Sequence, residues 1–326
     1  IRFDGGCRSE TACCKASNTS VCVRITIWSS AVSHAIWLRK LTDLNKARNN
    51  APHKPLMLLV FLDMVERGEF AGGKLTLTPE LAYCFDTYYD VARHRRTARP
   101  DVRLPFHHLS TQKFWTSWMR SGEASPHRST TAYVIPDPDF VKACRDPDFL
   151  RLARSILIDK HFEPAERNAL FHLVGMEVPP ADIIAHSAFF ETVNDAETSG
   201  RSARFRLDIV SAYKYTCALT GYRVTTISSG AIVDAAHIHQ FADSRNNDPN
   251  NGIALCKNAH WQFDVGLWSI DADYHVIVAK EEFTESSPYQ RSLLATHGQH
   301  LLLPRDKAIW PSQVHLAWHR KNRFKG

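Results

Sequence analysis

Three strings decide how the last third of the chain folds: Asp234-Ala-Ala-His237-Ile-His239, Asn251-Gly-Ile-Ala-Leu-Cys256 and His260-Trp-Gln-Phe-Asp264-Val-Gly266. Ala231–Ala236 reads as a strand, preceded by a short partner on the other side of Gly230. The Asn- and Asp-rich stretch Asp243–Asn251 reads as a loop. His260 and Asp264 stand four positions apart on a predicted helix, so they share a face. Alternation after Gly266 predicts two closing strands, Leu267–Asp271 and His275–Ala279. Such a strand, strand, helix unit has little core of its own. Support is expected from an amphipathic helix, Ala203–Tyr215, whose Phe205, Ile209, Val210 and Tyr213 share a face, and from another near Pro311–Phe324.

Hydrolysis of a phosphodiester needs a base, a metal and a group that orients the base. A His at a strand end, an Asn in the following loop and a His on the next helix can bring imidazole and metal to two sides of one phosphate. The strings resemble the HNH nuclease family with its ββα-metal fold, in the branch with an AAHI first motif and an HxxFDxG third motif. Phe205-Arg206, Tyr213, Cys217, Thr220-Gly221 and Trp318-His319-Arg320 extend the likeness from roughly Arg201 to Phe324. The resemblance implies that His237 is the general base, Asn251 holds the His-bearing loop and His260 ligates a divalent metal, Mg²⁺ or Mn²⁺.

Two positions depart from the family. Ala236 stands where many members carry a metal-ligating Asp or His, which leaves Asp234 or Asp264 as the second ligand. In a regular strand Asp234 projects away from His237 and needs a bulge to ligate, whereas Asp264 shares its face with His260. His239 competes with His237 as base. Cys217-Ala-Leu-Thr220 and Cys256-Lys-Asn-Ala259 each lack the second thiol of a CxxC pair, so a four-cysteine structural zinc is excluded.

A length of 326 residues implies two domains with linkers, and 44% hydrophobic with 23% charged residues is the composition of a soluble globular protein. Apolar runs such as Leu56–Met64 are too short to cross a membrane. The N-terminus lacks the basic-then-apolar order of a signal peptide, and a cytoplasmic protein with reduced thiols is expected. Cys7, Cys13, Cys14 and Cys22 form no CxxC pair. The net charge of +6 is mildly basic. Two local runs say more: Arg93, Arg95, Arg96, Arg99 and Arg103, then Arg320, Lys321, Arg323 and Lys325. Each suits a polyphosphate or a solvated face.

Residues 1–40 show no sustained period and read as a poorly ordered extension. Pro179-Pro180 and the polar stretch Asn194–Ser202 mark a linker, 179–202, between a domain over 41–178 and one over 203–326. The first of these is helix-rich, with helices predicted at Pro55–Val65, Pro79–Tyr89, Phe149–Asp159 and Pro164–Val174. Its strings Ala51-Pro52-His53-Lys54-Pro55-Leu56 and Leu104-Pro105-Phe106-His107-His108-Leu109, with Trp115 and Trp118, resemble the sulfur-binding domain fused to HNH units in McrA-type restriction enzymes.

That resemblance implies a reader of phosphorothioate DNA. Pro105 would contact the sulfur, with Leu104 and His108 lining the cup. His53 and Lys54 would touch the backbone or neighbouring bases, and Arg48 a phosphate. A sulfur is larger, softer and less hydrated than oxygen, so a shallow apolar cup favours it. The expectation is an α+β protein: a DNA-reading domain followed by a ββα-metal nuclease acting on modified double-stranded DNA, as a monomer or homodimer. The alternatives are an HNH nuclease directed to another modification, and a non-catalytic DNA-binding module with a degenerate HNH unit.

Overall fold

A computed structural model describes residues 34–45, 51–70, 72–95, 101–179 and 192–326 as an α+β protein. Arg48, Arg96, Arg99 and the four cysteines before residue 23 lie outside the described residues. Helix α1 covers 34–42, and its Trp37 is buried upstream of the expected boundary at residue 41. Helix α2 (His53–Glu66) is the centre of the N-terminal half. Its residues Leu56 to Leu62 are all buried, as a helix apolar on every side requires. Phe61 meets Phe70, Trp115 and Phe140, and Trp37 meets Phe114 and Phe140.

Around α2 lie α3 (Pro79–Asp90), α4 (Arg103–His108), α5 (Pro138–Cys144), α6 (Pro147–His161) and α7 (Pro164–Leu173). A small antiparallel sheet, ordered β1 (Leu75–Thr76), β3 (Tyr133–Pro136), β2 (Trp115–Trp118), closes one side. Helices α5 and α6 start alike: Asp137 and Asp146 accept from the first free N–H groups, and a proline follows at the first helical position. The arginine run is divided in role. Arg95 is buried in an ion pair with Glu166, while Arg93 pairs with Asp90 at the surface.

Helix α8 (Thr192–Ala212) occupies part of the stretch read as linker. Gly200 explains how it packs there. A Cβ at this position would lie 2.3 Å from the carbonyl oxygen of Ala169, so α7 and α8 approach as closely as a bare backbone allows. The helix stops before Tyr215 because Lys214 and Tyr215 take left-handed φ values of 51° and 59°. Arg204 of α8 reaches Asp63 of α2 at 3.4 Å, where Asp63 also pairs with Arg67 and Arg154 at 2.5 and 3.5 Å. Arg206 to Asp90 (3.2 Å) and Arg223 to Glu80 (2.5 Å) add further ties between the halves.

The C-terminal part corrects one strand pairing. The residues flanking Gly230 form only a two-residue ribbon, β4 (Thr225–Thr226) with β5 (Gly230–Ala231). The partner of the His-bearing strand β6 (Val233–His237) is instead β7 (Gly252–Cys256), antiparallel, with His237 opposite Gly252 and Val233 opposite Cys256. All five residues of β7 are buried, so it carries no alternation to reveal it. After the short α9 (Phe241–Ser244) and β7 comes α10 (Lys257–Asp264). The hairpin β8 (Trp268–Ile270) and β9 (Val276–Val278) and the helix α11 (Gln313–Asn322) complete the unit. Among the described residues no helix is long and apolar enough to cross a membrane.

Candidate active site

The β6–β7 register brings the end of one strand beside the start of the other, so His237 and Asn251 meet at one edge. Asn251 is wholly buried and every polar atom of its amide is used. Its Oδ1 accepts from the backbone N–H of His239 at 2.8 Å, and its Nδ2 donates to the carbonyls of His239 and Asn246 at 2.9 and 3.0 Å. The Ile238 N–H donates to the Asn251 carbonyl at 2.9 Å. One side chain thus pins the chain just past His237 and the far end of the following loop.

His237 is held on two sides. The Phe205 ring of α8 lies flat on the imidazole, 4.1 Å between centroids and 10° between planes. Asn247 Oδ1 lies 2.9 Å from Nε2, which assigns the ring proton to Nε2 and the lone pair to Nδ1. Burial holds its pKa below the ordinary histidine value, opposed by the Asn247 bond; His260 pushes it the same way as burial, and Asp264 opposes. A neutral imidazole at neutral pH is the form a base requires.

His260 and Asp264, one turn apart on α10, approach to 3.4 Å between Nε2 and Oδ2. Burial raises the Asp264 pKa, and the nearby His260, Arg323 and His237 oppose it. The charges of His237, His260 and Asp264 therefore act on one another across the gap between β6 and α10. Asp234 keeps other company. Its carboxylate lies 3.3 Å from Lys257 and 4.0 Å from Arg206, and its Oδ1 accepts from the Ala235 N–H. His239 is also drawn away. Strand β6 ends at His237, so alternation stops there, and the His239 ring stacks on Trp318 at 3.9 Å.

Among the described residues no group of three or more His, Cys, Asp or Glu side chains is placed to hold a metal. The His260–Asp264 pair offers one nitrogen and one carboxylate, with Asp264 half exposed. Such a two-donor set fits a hard divalent cation that completes its shell with water and phosphate oxygens. Cys217 and Cys256 do come together, with Thr220 beside them. Ala259 stands in the remaining place with no donor atom.

Residues 217–271 match the family model of the HNH endonucleases. The chain carries an HNH endonuclease domain. That span includes β6, β7, α10 and β8, with His237, Asn251, His260 and Asp264. No curated protein matches the chain. Among solved structures, one titled as a modification dependent TagI restriction endonuclease is similar at 20% identity with a TM-score of 0.29. The likeness covers 39% of this chain and 39% of that one.

The N-terminal residues expected to read DNA are only partly on the surface. His53 is buried, its ring packed on Tyr89 and Phe85 at 5.1 and 6.3 Å. Pro105 is buried within α4, so of the expected cup only Leu104 and His108 reach solvent. Lys54 Nζ donates to the Asn45 carbonyl and to Gln112 Oε1 at 2.8 and 2.9 Å. Burial lowers the His108 pKa, and the charges of Lys54 and Arg128 add to the shift. The charges of Lys54 and Arg128 therefore lie within electrostatic reach of His108.

Sequence reasoning missed Arg128 and Asn247, both of which lie in polar loops where no periodicity singles out a position. Phe205 was legible as an apolar helix position but not as the support of the His237 ring.

Proposed function

We propose that the protein is a divalent-metal-dependent DNA endonuclease in which His237 takes the proton from the attacking water. The observation that carries this reading is the convergence of a half-buried imidazole with the His260–Asp264 pair at the open edge of β6. A cation bound by His260 and Asp264 would polarise the scissile phosphate and stabilise the leaving 3′ oxygen. Asn247 and Phe205 hold the imidazole with its lone pair on Nδ1, the atom that would take the proton, and Asn251 keeps the strand end in place. In this reading His237→Ala lowers single-turnover cleavage of duplex DNA in Mg²⁺ or Mn²⁺ by about 100-fold or more, while gel-shift affinity is kept. Metal-dependent nicking that persists at the wild-type rate would sink the assignment.

The N-terminal half supplies target choice, with a phosphorothioate linkage as the first modification to test. Leu104 and His108 present an apolar and a weakly basic surface beside Lys54 and Arg128, which suits a soft, poorly hydrated anion. Matched duplexes with and without one phosphorothioate should differ in gel-shift affinity, and equal affinity rejects this specificity. A second reading, a DNA-binding module with a degenerate HNH unit, draws on Ala236 and on the two-donor set. Calorimetric titration with Mn²⁺ separates the two, because the module reading requires no binding at His260.

A further inference from the structure

The basic run at the C-terminus divides into different roles. Arg320 is committed to the fold, donating to the Ile270 carbonyl at 2.6 Å. Arg323, just past α11, turns toward the loop that follows His237. Its Nη2 donates to Gln240 Oε1 and lies 3.9 Å from Asp243 Oδ2. Its side chain remains 37% exposed.

The backbone that delivers this guanidinium is fixed at both ends. The Arg323 N–H donates to the His319 carbonyl at 2.9 Å, and the Lys325 N–H donates to the Gly266 carbonyl at 3.1 Å. Gly266 directly follows the turn that ends α10. Its φ is +81°, and a Cβ there would lie 2.0 Å from the Arg323 carbonyl oxygen. Any side chain at 266 would push the segment off α10, the helix that carries His260 and Asp264.

We propose that Arg323 holds a nonbridging oxygen of the phosphate being cleaved. The inference rests on the nuclease reading above and adds to it a residue from the far end of the chain. A phosphate entering this edge passes Asp243, which repels it, and Arg323 is the cation locked beside that carboxylate, on backbone that packs against the turn ending α10. The guanidinium fork matches two phosphate oxygens, and in the resting protein it is kept in place by Gln240 and Asp243. Negative charge grows on the nonbridging oxygens as water adds to phosphorus, so a fixed cation there gains most in the transition state.

The test uses the full chain with plain and phosphorothioated duplexes in Mn²⁺, comparing wild type, Arg323→Ala, Arg323→Lys and His237→Ala. Arg323→Ala should lower the single-turnover rate by about 100-fold or more. Its gel-shift affinity should stay within about threefold and its Mn²⁺ affinity by calorimetry should be unchanged, since one phosphate contact contributes little to the total. Lys at 323, and millimolar guanidinium added to Arg323→Ala, should each restore part of the rate.

An Arg323→Ala rate within about threefold of wild type overturns the proposal. So does a loss that neither Lys nor guanidinium restores, because that marks a structural role. Should wild type cleave neither duplex, the nuclease reading falls and this inference with it. A cleaving wild type matched by Arg323→Ala removes this inference alone.

Discussion

Phe205 covers one face of the His237 ring and excludes water from it, while Asn247 occupies one ring nitrogen. Burial is the leading cause of the lowered pKa of His237, so under the proposed function the stacked ring is a control on the pH dependence of cleavage. In the proposed function the neutral form is the active one. A lowered pKa keeps the base neutral, and cleavage active, to more acidic pH than an ordinary histidine allows. Phe205→Leu should therefore move the acidic limb of the rate profile upward, toward the ordinary histidine value of about 6.5, with little change in KM for DNA. An unmoved limb would mean that Phe205 serves the core alone. His237 and His260 were legible because each imidazole sits in a short motif with its own spacing, one at a strand end and one on a helix. Asn247 was not, since Asp243, Asn246, Asp248 and Asn250 around it share one loop character.

Helix α11 is joined to α10 through His319. This ring is buried, stacked on Phe263 with 3.7 Å between centroids and 1° between planes. Its Nε2 lies 3.2 Å from the Phe263 carbonyl, and its Nδ1 lies 2.8 Å from Ser269 Oγ. The neutral ring donates from Nε2 and accepts at Nδ1. Burial pushes its pKa down to about 4, from the usual 6.5. The stabilisation from this group is therefore present above about pH 6.5 and is lost as pH falls toward 4, on the order of 3 kcal/mol in all. His319→Gln should be less stable than wild type at pH 7 and should show a flatter loss of urea midpoint between pH 7 and 5. An identical slope in both proteins would assign the acid sensitivity elsewhere.

Which elements the sequence revealed follows from their burial. Helix α10 and strands β8 and β9 were legible because each has a period or a turn beside it. Strand β7 was not, because a fully buried run such as Gly252–Cys256 has no polar face to mark its period. Helix α8 was read too short for the opposite reason. Its first half is polar, and its packing depends on a glycine, a residue that otherwise signals a break.

At the scale of the molecule, Asp63 is the charge on which both halves close. It is fully buried and faces Arg67 and Arg154 from the N-terminal half and Arg204 from α8. Each arginine has a second carboxylate, Arg67 in Glu69, Arg154 in Glu66 and Arg204 in Asp208, but Asp63 is the one buried counter-charge of the buried Arg154. Asp63→Ala should cost about 3–5 kcal/mol of unfolding free energy, measured by urea denaturation at neutral pH. A loss below about 1 kcal/mol, the scale of an exposed pair, would mean that Glu66, Glu69 and Asp208 suffice to balance the three arginines. None of these long-range pairings was legible in the sequence, where 63 and 204 lie in segments read as separate domains.

The contact of Gly200 with the Ala169 carbonyl bears on how this HNH domain could be recombined with other domains. Helix α8 carries Phe205 to the His237 ring, and its close seam with α7 belongs to the N-terminal half. A cut between the halves would remove the surface that orients the helix behind His237. Gene fusions that borrow this HNH unit should need α7 as part of the transferred segment, and natural shuffling at this boundary would meet the same restriction.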